Sequence, residues 1–148
     1  MNKLLKRGNR SFTVASLLTI AISIAHLTGL TNEPFNEDWE IAFDAMQKAT
    51  VEIGPMTMSF DGLLLGLWLQ VGALLALLGA KNLVLLLVLP EDASHNAIRA
   101  LSIVDCIGYA GLAVIFLIVV IPPALVSFTI LTVAYLFAAI WSGRPNSD

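Results

Sequence analysis

Four long runs of apolar residues, separated by polar segments, dominate the pattern of the chain. The runs cover residues 11–30, 62–89, 100–121 and 124–141. Each approaches or exceeds the roughly 20 residues that a helix needs to cross the hydrocarbon core of a bilayer. Pro122 and Pro123 separate the last two runs, because proline lacks an N–H donor and restrains its predecessor. The pattern therefore predicts four transmembrane helices, the last two joined by a tight hairpin.

The polar segment between the first two runs has a periodic pattern of its own. Apolar residues recur there three or four positions apart, as on one face of a helix: Trp39, Ala42, Phe43, Met46, Ala49 and Ile53. Asn36 is a suitable N-cap and Gly54-Pro55 a suitable stop, so we expect an amphipathic helix over about 36–53. Three roles are open: packing across the ends of the spans, lying in the adjacent leaflet, or covering a ligand as a lid.

These elements predict an all-α fold, namely a membrane-embedded four-helix bundle with an extra amphipathic helix, forming one integral membrane domain over 1–148. The composition agrees, since 57% of the residues are hydrophobic and 13% are charged, against roughly a quarter charged in soluble domains. The net charge of −3 leaves no basic surface for nucleic acid. A single cysteine, Cys106, excludes an intramolecular disulfide, and we expect it to be a small packed side chain.

The charges are distributed unevenly along the chain. The polar segment 31–60 contains one basic residue, Lys48, and six acidic residues. The other seven basic residues lie before the first run, after the last run, or, for Lys81 and Arg99, on either side of the turn between the second and third runs. Basic residues near membrane ends tend to stay in the cytoplasm. We therefore expect an inner (plasma) membrane protein with both termini in the cytoplasm and the 31–60 loop outside.

The first apolar run also resembles the core of a secretory signal peptide after a basic start. Ala21-Ile22-Ser23 offers a small-x-small cleavage site, but this site lies inside the apolar run rather than after it. The run is also longer than the usual 7–15 residues of a signal core. We therefore expect an uncleaved membrane anchor.

Small residues predict where the helices contact one another, because close packing drives helix association in lipid. In the second run these are Gly62, Gly66, Ala73, Ala76 and Ala80. Gly62 and Gly66 form a Gly-x-x-x-Gly motif, which serves equally for packing within the protein and between protomers.

Two charged residues are expected near the cytoplasmic edge of the membrane. Asp105 lies about 24 Å inward from Ile121, and Lys81 lies about 28 Å inward from Gly62 on an antiparallel helix. Their side chains lean toward each other's level, so we expect Lys81 and Asp105 to pair. The alternative is that Lys81 reaches the lipid headgroups while Asp105 hydrogen-bonds within its own helix turn.

A second polar group is expected near the outer edge, from His26, Asp61 and Gln70. Such residues facing a cavity bind a polar headgroup or exchange protons, since histidine titrates near neutrality. The plainer alternative is that Asp61 caps its helix and His26 hydrogen-bonds a carbonyl of a neighbouring helix.

Several segments resemble those of small bacterial four-span inner-membrane proteins of unassigned function. They are Ala45-Met46-Gln47, Thr57-Met58-Ser59-Phe60-Asp61, Gly66 and Gly79-Ala80-Lys81-Asn82-Leu83. The chain departs from that group at Ser59-Phe60, where an aromatic–Asp pair is usual, and in having Trp68 further along. The resemblance implies a bacterial inner membrane and no particular activity.

No catalytic pattern is present, whether a metal-binding histidine motif, a serine elbow or a glycine-rich phosphate loop. We therefore expect no enzyme and no cofactor. The favoured function is a non-enzymatic membrane component that contacts lipids and either oligomerises or binds a membrane-protein partner. The alternatives are a carrier for a lipophilic small molecule and a proton- or ion-coupled transporter.

Overall fold

A computed structural model of the chain describes Leu4 and residues 9–28, 37–90, 94–119 and 122–142, apart from the side chains of Trp39, Ser94, Val119, Pro122 and Pro123. These residues form five helices and one two-stranded sheet. The helices are α1 (Arg10–Thr28), α2 (Glu37–Lys48), α3 (Phe60–Val88), α4 (Ser94–Val119) and α5 (Pro122–Trp141). The strands are β1 (Thr50–Ile53) and β2 (Met56–Ser59), which lie between α2 and α3. The predicted all-α fold class is confirmed.

Four of the helices, α1, α3, α4 and α5, are long and apolar enough to cross a membrane. The chain is therefore consistent with a multi-pass membrane protein. The start of α4 lies six residues before the expected one, because a helix continues beyond its apolar section and His95 and Arg99 do not interrupt it. The start of α5 at Pro122 agrees with the predicted break, since the first turn of a helix tolerates proline.

The amphipathic helix is shorter than predicted. It ends at Lys48, and Ile53 lies in a strand rather than on the helical face. The prediction was wrong beyond Lys48, since the β-branched residues Thr50, Val51 and Ile53 favour an extended strand. Asn36, the expected N-cap, lies outside the described residues, as does the side chain of Trp39.

The strands β1 and β2 pair as an antiparallel hairpin around Gly54-Pro55. Ile53 pairs with Met56, so the loop contains only these two residues. Gly54 has a φ of 60°, and the fixed negative φ of proline excludes a second left-handed residue, so the turn is of type II′. The expected helix stop is therefore the centre of a hairpin. The first strand pair, Thr50 with Ser59, leads directly into α3, whose Phe60 N–H donates to Ala49 O at 2.8 Å.

The apolar side chains of α2 remain largely uncovered. Phe43 is 45% exposed and Ile41 is 64% exposed, and only Met46 is half-buried. Helix α2 contacts β2.

The chain divides into two compact units: Met1–Ile22 with Leu77–Asp148, and Ser23–Ala76. In the first unit, α4 and α5 pack side by side in opposite directions. Phe128 of α5 stacks on Phe116 at 5.2 Å between ring centroids, and Tyr135, two turns further along α5, stacks on Tyr109 at 5.4 Å. Cys106 is half-buried in this interface, and its thiol donates to Thr132 O at 3.6 Å. Val120 and Ile121 lie outside the described residues.

The glycines that contact another helix are not those that the sequence suggests. Gly62 and Gly66 are exposed, and nothing lies within 4 Å of a Cβ built on Gly66. In the first unit, a Cβ on Gly79 would lie 2.6 Å from Ile20 Cγ1 and 2.8 Å from Ser16 O. The contact face of α3 therefore includes Gly79, because burial depends on which way the helix is rotated and not on the number of small residues.

The second unit has its own close approach of α1 to α3. Ser23 Oγ donates to Gly72 O at 2.7 Å, and a Cβ on Gly72 would lie 2.5 Å from Leu27 Cδ2. Glycine at position 72 leaves the space that Leu27 fills. The hydrogen bond to Gly72 O satisfies the Ser23 hydroxyl, which lipid chains could not do.

Candidate functional site

Helix α1 turns its polar face toward the protein interior. Four polar side chains on this face are buried in the first unit: Asn9, Thr13, Ser16 and Thr19. They recur three or four residues apart, so they share one side of the helix. Val14 and Leu17, on the other side, are 62% and 52% exposed. This arrangement suits a lipid-facing helix, whose polar groups need partners within the protein.

The polar face of α1 meets a buried carboxylate and a buried amide. Asn82 of α3 is completely buried, and Asp105 of α4 is 8% exposed. Asn82 Nδ2 donates to Asp105 Oδ2 at 2.6 Å. The amide orientation follows from this contact, since a carboxylate oxygen requires a donor.

Tyr135 of α5 connects the amide to α1. Asn82 Nδ2 also lies 3.0 Å from the Tyr135 hydroxyl, which lies 3.2 Å from Thr19 Oγ1. Thr19 Oγ1 already donates to Ala15 O at 3.0 Å. The amide nitrogen therefore donates to Tyr135, and Tyr135 donates to Thr19. The hydrogen bonds thus run in one direction, from Asn82 to Tyr135, from Tyr135 to Thr19, and from Thr19 to the backbone oxygen of Ala15 in α1.

Two buried polar atoms of this cluster have no hydrogen bond of standard geometry among the described residues, although Thr19 still interacts with the second of them. They are Asn82 Oδ1 and the hydroxyl oxygen of Tyr109. Tyr109 is only 3% exposed, and its ring stacks on Tyr135. Unsatisfied buried polar groups are uncommon and costly, so they mark a place where function or strain competes with stability.

We name Thr19, Asn82, Asp105, Tyr109 and Tyr135 the Asp105 cluster. Its members come from α1, α3, α4 and α5, and all of them belong to the first compact unit. A carboxylate that accepts a hydrogen bond from a neutral amide, inside a helix apolar enough to cross a membrane, is the main chemical feature of the described residues.

The expected pair between Lys81 and Asp105 is wrong. Lys81 is exposed, and among the described residues the ion pair is between Lys48 and Asp44, within α2. Successive residues on a helix point about 100° apart. The side chain that contacts Asp105 is therefore that of Asn82. Lys81 makes no ion pair with Asp105, although its positive charge still acts on the carboxylate. The alternative in which Asp105 bonds within its own turn is also wrong, since its partner lies on α3.

His26 contacts an aromatic residue rather than the polar residues expected. Its ring stacks on Trp68 of α3, with 4.1 Å between centroids and 9° between planes. Trp68 Nε1 donates to the backbone oxygen of His26 at 2.8 Å. His26 Nε2 is buried without a hydrogen-bond partner among the described residues. The imidazole nevertheless makes a hydrogen bond with the backbone of Trp68 on α3, in line with the plainer alternative.

Asp61 and Gln70 do not join His26 in one group. The two residues are nine positions apart on α3, which is two and a half turns, so they point to opposite sides. Gln70 is exposed, whereas Asp61 is half-buried with Oδ1 unpaired among the described residues. Because α3 begins at Phe60, Asp61 lies in its first turn, where a carboxylate interacts favourably with the helix dipole, and not at the cap.

The sequence contained signals for the residues that were missed. Asn82 is an amide inside an apolar run, next to Lys81, whose charge made it the expected partner of Asp105. Thr19 belongs to a buried polar series with helical spacing. Tyr135 is a tyrosine within a predicted span, whose hydroxyl needs a partner if buried. Each signal is weak alone, because none shows which way a helix is rotated.

A groove of about 400 Å³ lies between the start of α1 and the end of α5, lined in part by Arg10 and Trp141. Neither His26 nor Gln70 lines it, so it is not the cavity that would favour a carrier beneath the amphipathic helix. Within the described residues, no group of histidine, cysteine and acidic side chains is arranged to hold a metal ion.

Comparison of the chain with protein-family models, curated proteins and solved structures gave no match. The function is therefore argued from the Asp105 cluster.

Proposed function

We propose that this protein is a proton-coupled, non-enzymatic membrane component that takes up and releases a proton at Asp105. The observation behind the proposal is that the carboxylate is 8% exposed and receives its 2.6 Å hydrogen bond from a neutral amide. No lysine, arginine or histidine among the described residues lies within ion-pair distance of it. Lys81 acts on the carboxylate only from beyond ion-pair distance. An ionised carboxylate at membrane depth is expensive without a directly paired counter-charge, and binding a proton removes that cost.

The hydrogen-bond directions leave a defined place for the proton. The two hydrogens of Asn82 Nδ2 point to Asp105 Oδ2 and to Tyr135. Oδ2 thus acts as an acceptor whether the carboxyl group is charged or neutral. The proton accordingly resides on Asp105 Oδ1, which makes no hydrogen bond to a described residue.

We propose the orientation that the charges favour, with both termini in the cytoplasm and the hairpin with α2 outside a bacterial inner membrane. In this orientation Asp105 and Lys81 lie toward the cytoplasmic side. Cysteine labelling tests it in a Cys106→Ala background. A cysteine at Asp44 should react with an impermeant maleimide in intact cells, and one at Arg99 should react only after lysis.

Infrared difference spectroscopy between acidic and alkaline pH tests the proton site directly, since it detects the C=O stretch of a protonated carboxyl group. We expect a band that Asp105→Asn abolishes. Asp61→Asn, which replaces a carboxylate that is only half-buried, should leave the band in place. A spectrum unchanged by Asp105→Asn would reject the proposal. A band that sodium removes at constant pH, and choline does not, would assign the cluster to cation binding instead.

A second candidate function, an oligomeric or partner-binding subunit, is supported by the exposed Gly62 and Gly66. These residues lie on one face of α3 without a covering helix among the described residues. Replacing Gly66 with leucine should lower the apparent mass in detergent if protomers meet there. Leu67→Phe, which enlarges an exposed side chain on another side of α3, provides the control.

A further inference from the structure

The side chain of Asn82 presents its nitrogen, and not its oxygen, to the Asp105 carboxylate. Asn82 Nδ2 donates to Asp105 Oδ2 at 2.6 Å. Hard cations such as sodium and calcium are held by the oxygen atoms of carboxylates and carbonyls. An N–H group points the positive end of its dipole at the acceptor, so it stabilises the carboxylate but repels a metal cation at the same oxygen. The orientation of this amide therefore affects which positive ion the carboxylate can bind.

The orientation of the amide is also fixed from its other side, by the backbone of α1. The oxygen of Ala15 can only accept, so the Thr19 hydroxyl 3.0 Å away is a donor. Tyr135, 3.2 Å from Thr19 Oγ1, must then donate to Thr19. The Tyr135 oxygen remains as an acceptor, and the atom of Asn82 that lies 3.0 Å from it must be nitrogen. This reasoning does not use Asp105, and it gives the same orientation as the carboxylate does.

This orientation leaves the amide oxygen unsatisfied. Asn82 is completely buried, and its Oδ1 has no hydrogen-bond partner among the described residues. If the amide turned over, this oxygen would lie against Asp105, and the two oxygens could share a cation. The turn would break both bonds of Nδ2, to Asp105 and to Tyr135. The hydrogen bonds that lead to α1 thus keep away from the carboxylate the atom that a cation would need.

The titratable neighbours of the carboxylate do not supply a second anionic oxygen. Those that interact electrostatically with Asp105 among the described residues are Lys81, Tyr109 and Tyr135. A protonated lysine has no lone pair for a cation, and a tyrosine hydroxyl is neutral. One carboxylate alone suits a proton, because a single O–H bond holds it, whereas a metal cation needs several oxygen ligands.

We propose that Asn82 makes the Asp105 site select a proton over a metal cation. The inference rests on the proposed function, in which Asp105 binds the proton, and it adds the reason why sodium does not take its place. Asn82 is a positioning residue, since it acts on the ion through the carboxylate and does not itself bind the proton.

Asn82→Asp tests the proposal, because it replaces the donor that lies 2.6 Å from Asp105 with a second carboxylate oxygen. Two carboxylates this close do not both stay ionised unless they share a proton or a cation. In this variant we expect sodium at constant pH to remove the infrared band of the protonated carboxyl group. The sodium ion takes the place of the proton, which passes to the medium, and choline leaves the band unchanged. In the parent, the band should persist in both salts.

An exchanged variant provides the matched control. Asn82→Asp combined with Asp105→Asn again contains one carboxylate and one amide, so sodium should leave its band in place. A carboxylate at position 82 is thus present with and without a second carboxylate opposite it, and a general disturbance of the packing would affect both variants.

Thr19→Val is a second test, which does not alter either side chain of the contact and which decides the matter if Asn82→Asp does not fold. It removes the acceptor of the Tyr135 hydrogen. That hydrogen can then point to Asn82, which lets the amide turn over, so sodium should remove part of the band.

A band that persists in sodium in both Asn82→Asp and Thr19→Val would overturn the inference and leave proton uptake at Asp105 intact. A band that sodium removes from the exchanged variant would overturn it too, because the pairing of two carboxylates would then not matter. Removal of the parent's band by sodium would reject the inference together with the proposed function.

Discussion

Asn82 and Asp105 lie on different helices, and the amide of one donates to the carboxylate of the other across 2.6 Å. Both are buried, and the same amide nitrogen also donates to Tyr135. One side chain of α3 thus satisfies polar groups of α4 and α5 at once. The residue next to it in sequence, Lys81, makes no ion pair with Asp105 and acts on it only through its charge.

This relationship predicts a measurable coupling between the two residues. Asn82→Leu and Asp105→Leu should each lower the free energy of unfolding, because each leaves the other polar group buried without its partner. The double variant should lose less than the sum of the two. Double-mutant cycles within membranes give about 0.6 kcal/mol on average and up to about 1.7 kcal/mol, and we expect a value at the upper end. Unfolding in mixed SDS micelles measures it, and strict additivity would contradict the contact.

The two stacked tyrosines should respond oppositely to loss of their hydroxyl groups. Tyr135→Phe removes a donor to Thr19 and an acceptor for Asn82, so stability should fall by about 1 kcal/mol. Tyr109→Phe removes a buried hydroxyl that has no hydrogen bond of standard geometry among the described residues, so stability should stay unchanged or rise by up to about 1 kcal/mol. Each variant serves as the other's control in the same unfolding assay. A loss for Tyr109→Phe as large as that for Tyr135→Phe would show that its hydroxyl is bonded.

Gly79 should not tolerate a methyl group. An alanine there would place Cβ 2.8 Å from the backbone oxygen of Ser16, so α1 would have to move. Overpacking of this kind costs about 1–3 kcal/mol. Gly66→Ala, with open space around it, should be neutral or stabilising by up to about 1 kcal/mol, since alanine favours a helix over glycine. Thermal unfolding of the two variants in the same detergent tests the difference, and equal midpoints would exclude close packing at Gly79.

Trp68 should stabilise the second unit through both its ring and its N–H group. Trp68→Phe keeps a ring over His26 but removes the donor to the His26 carbonyl, at a cost of about 0.5–1.5 kcal/mol. Trp68→Leu also removes the stacking, which should lower the stability by a further amount of about 0.5–1.5 kcal/mol. Unfolding is best measured by circular dichroism, because removing Trp68 changes the tryptophan fluorescence of the protein even without unfolding. If the phenylalanine and leucine variants unfold together, the stacking contributes nothing.

The hairpin should depend on glycine at position 54. Gly54→Ala forces a Cβ into the left-handed region at a φ of 60°, which costs about 1–2 kcal/mol. Amides of β1 and β2 should then exchange hydrogen at least about five-fold faster in mass spectrometry. Pro55→Ala is the matched control, since alanine adopts the negative φ of the second turn position without strain. Unchanged exchange in Gly54→Ala would mean that the hairpin does not use this turn.

The number of long helices and their approximate positions could be read from the sequence, because the length and polarity of a run decide whether it can cross a membrane. The break at Pro122 was equally predictable, since it depends on the covalent structure of proline. The boundary of α2 was not, as helix and strand patterns overlap between Lys48 and Ile53. There the pairing of β1 with β2 outweighed the helical spacing.

The position of Asp105 along its helix also followed from counting residues, but its partner did not. Height along a helix is the sum of 1.5 Å steps, which any sequence provides. The direction of a side chain depends on how the helix is rotated against its neighbours, and one residue changes it by 100°. That rotation is set by packing of the whole interface. It selected Asn82 over Lys81, Gly79 over Gly66 and Trp68 over Gln70, and it turned the polar face of α1 inward.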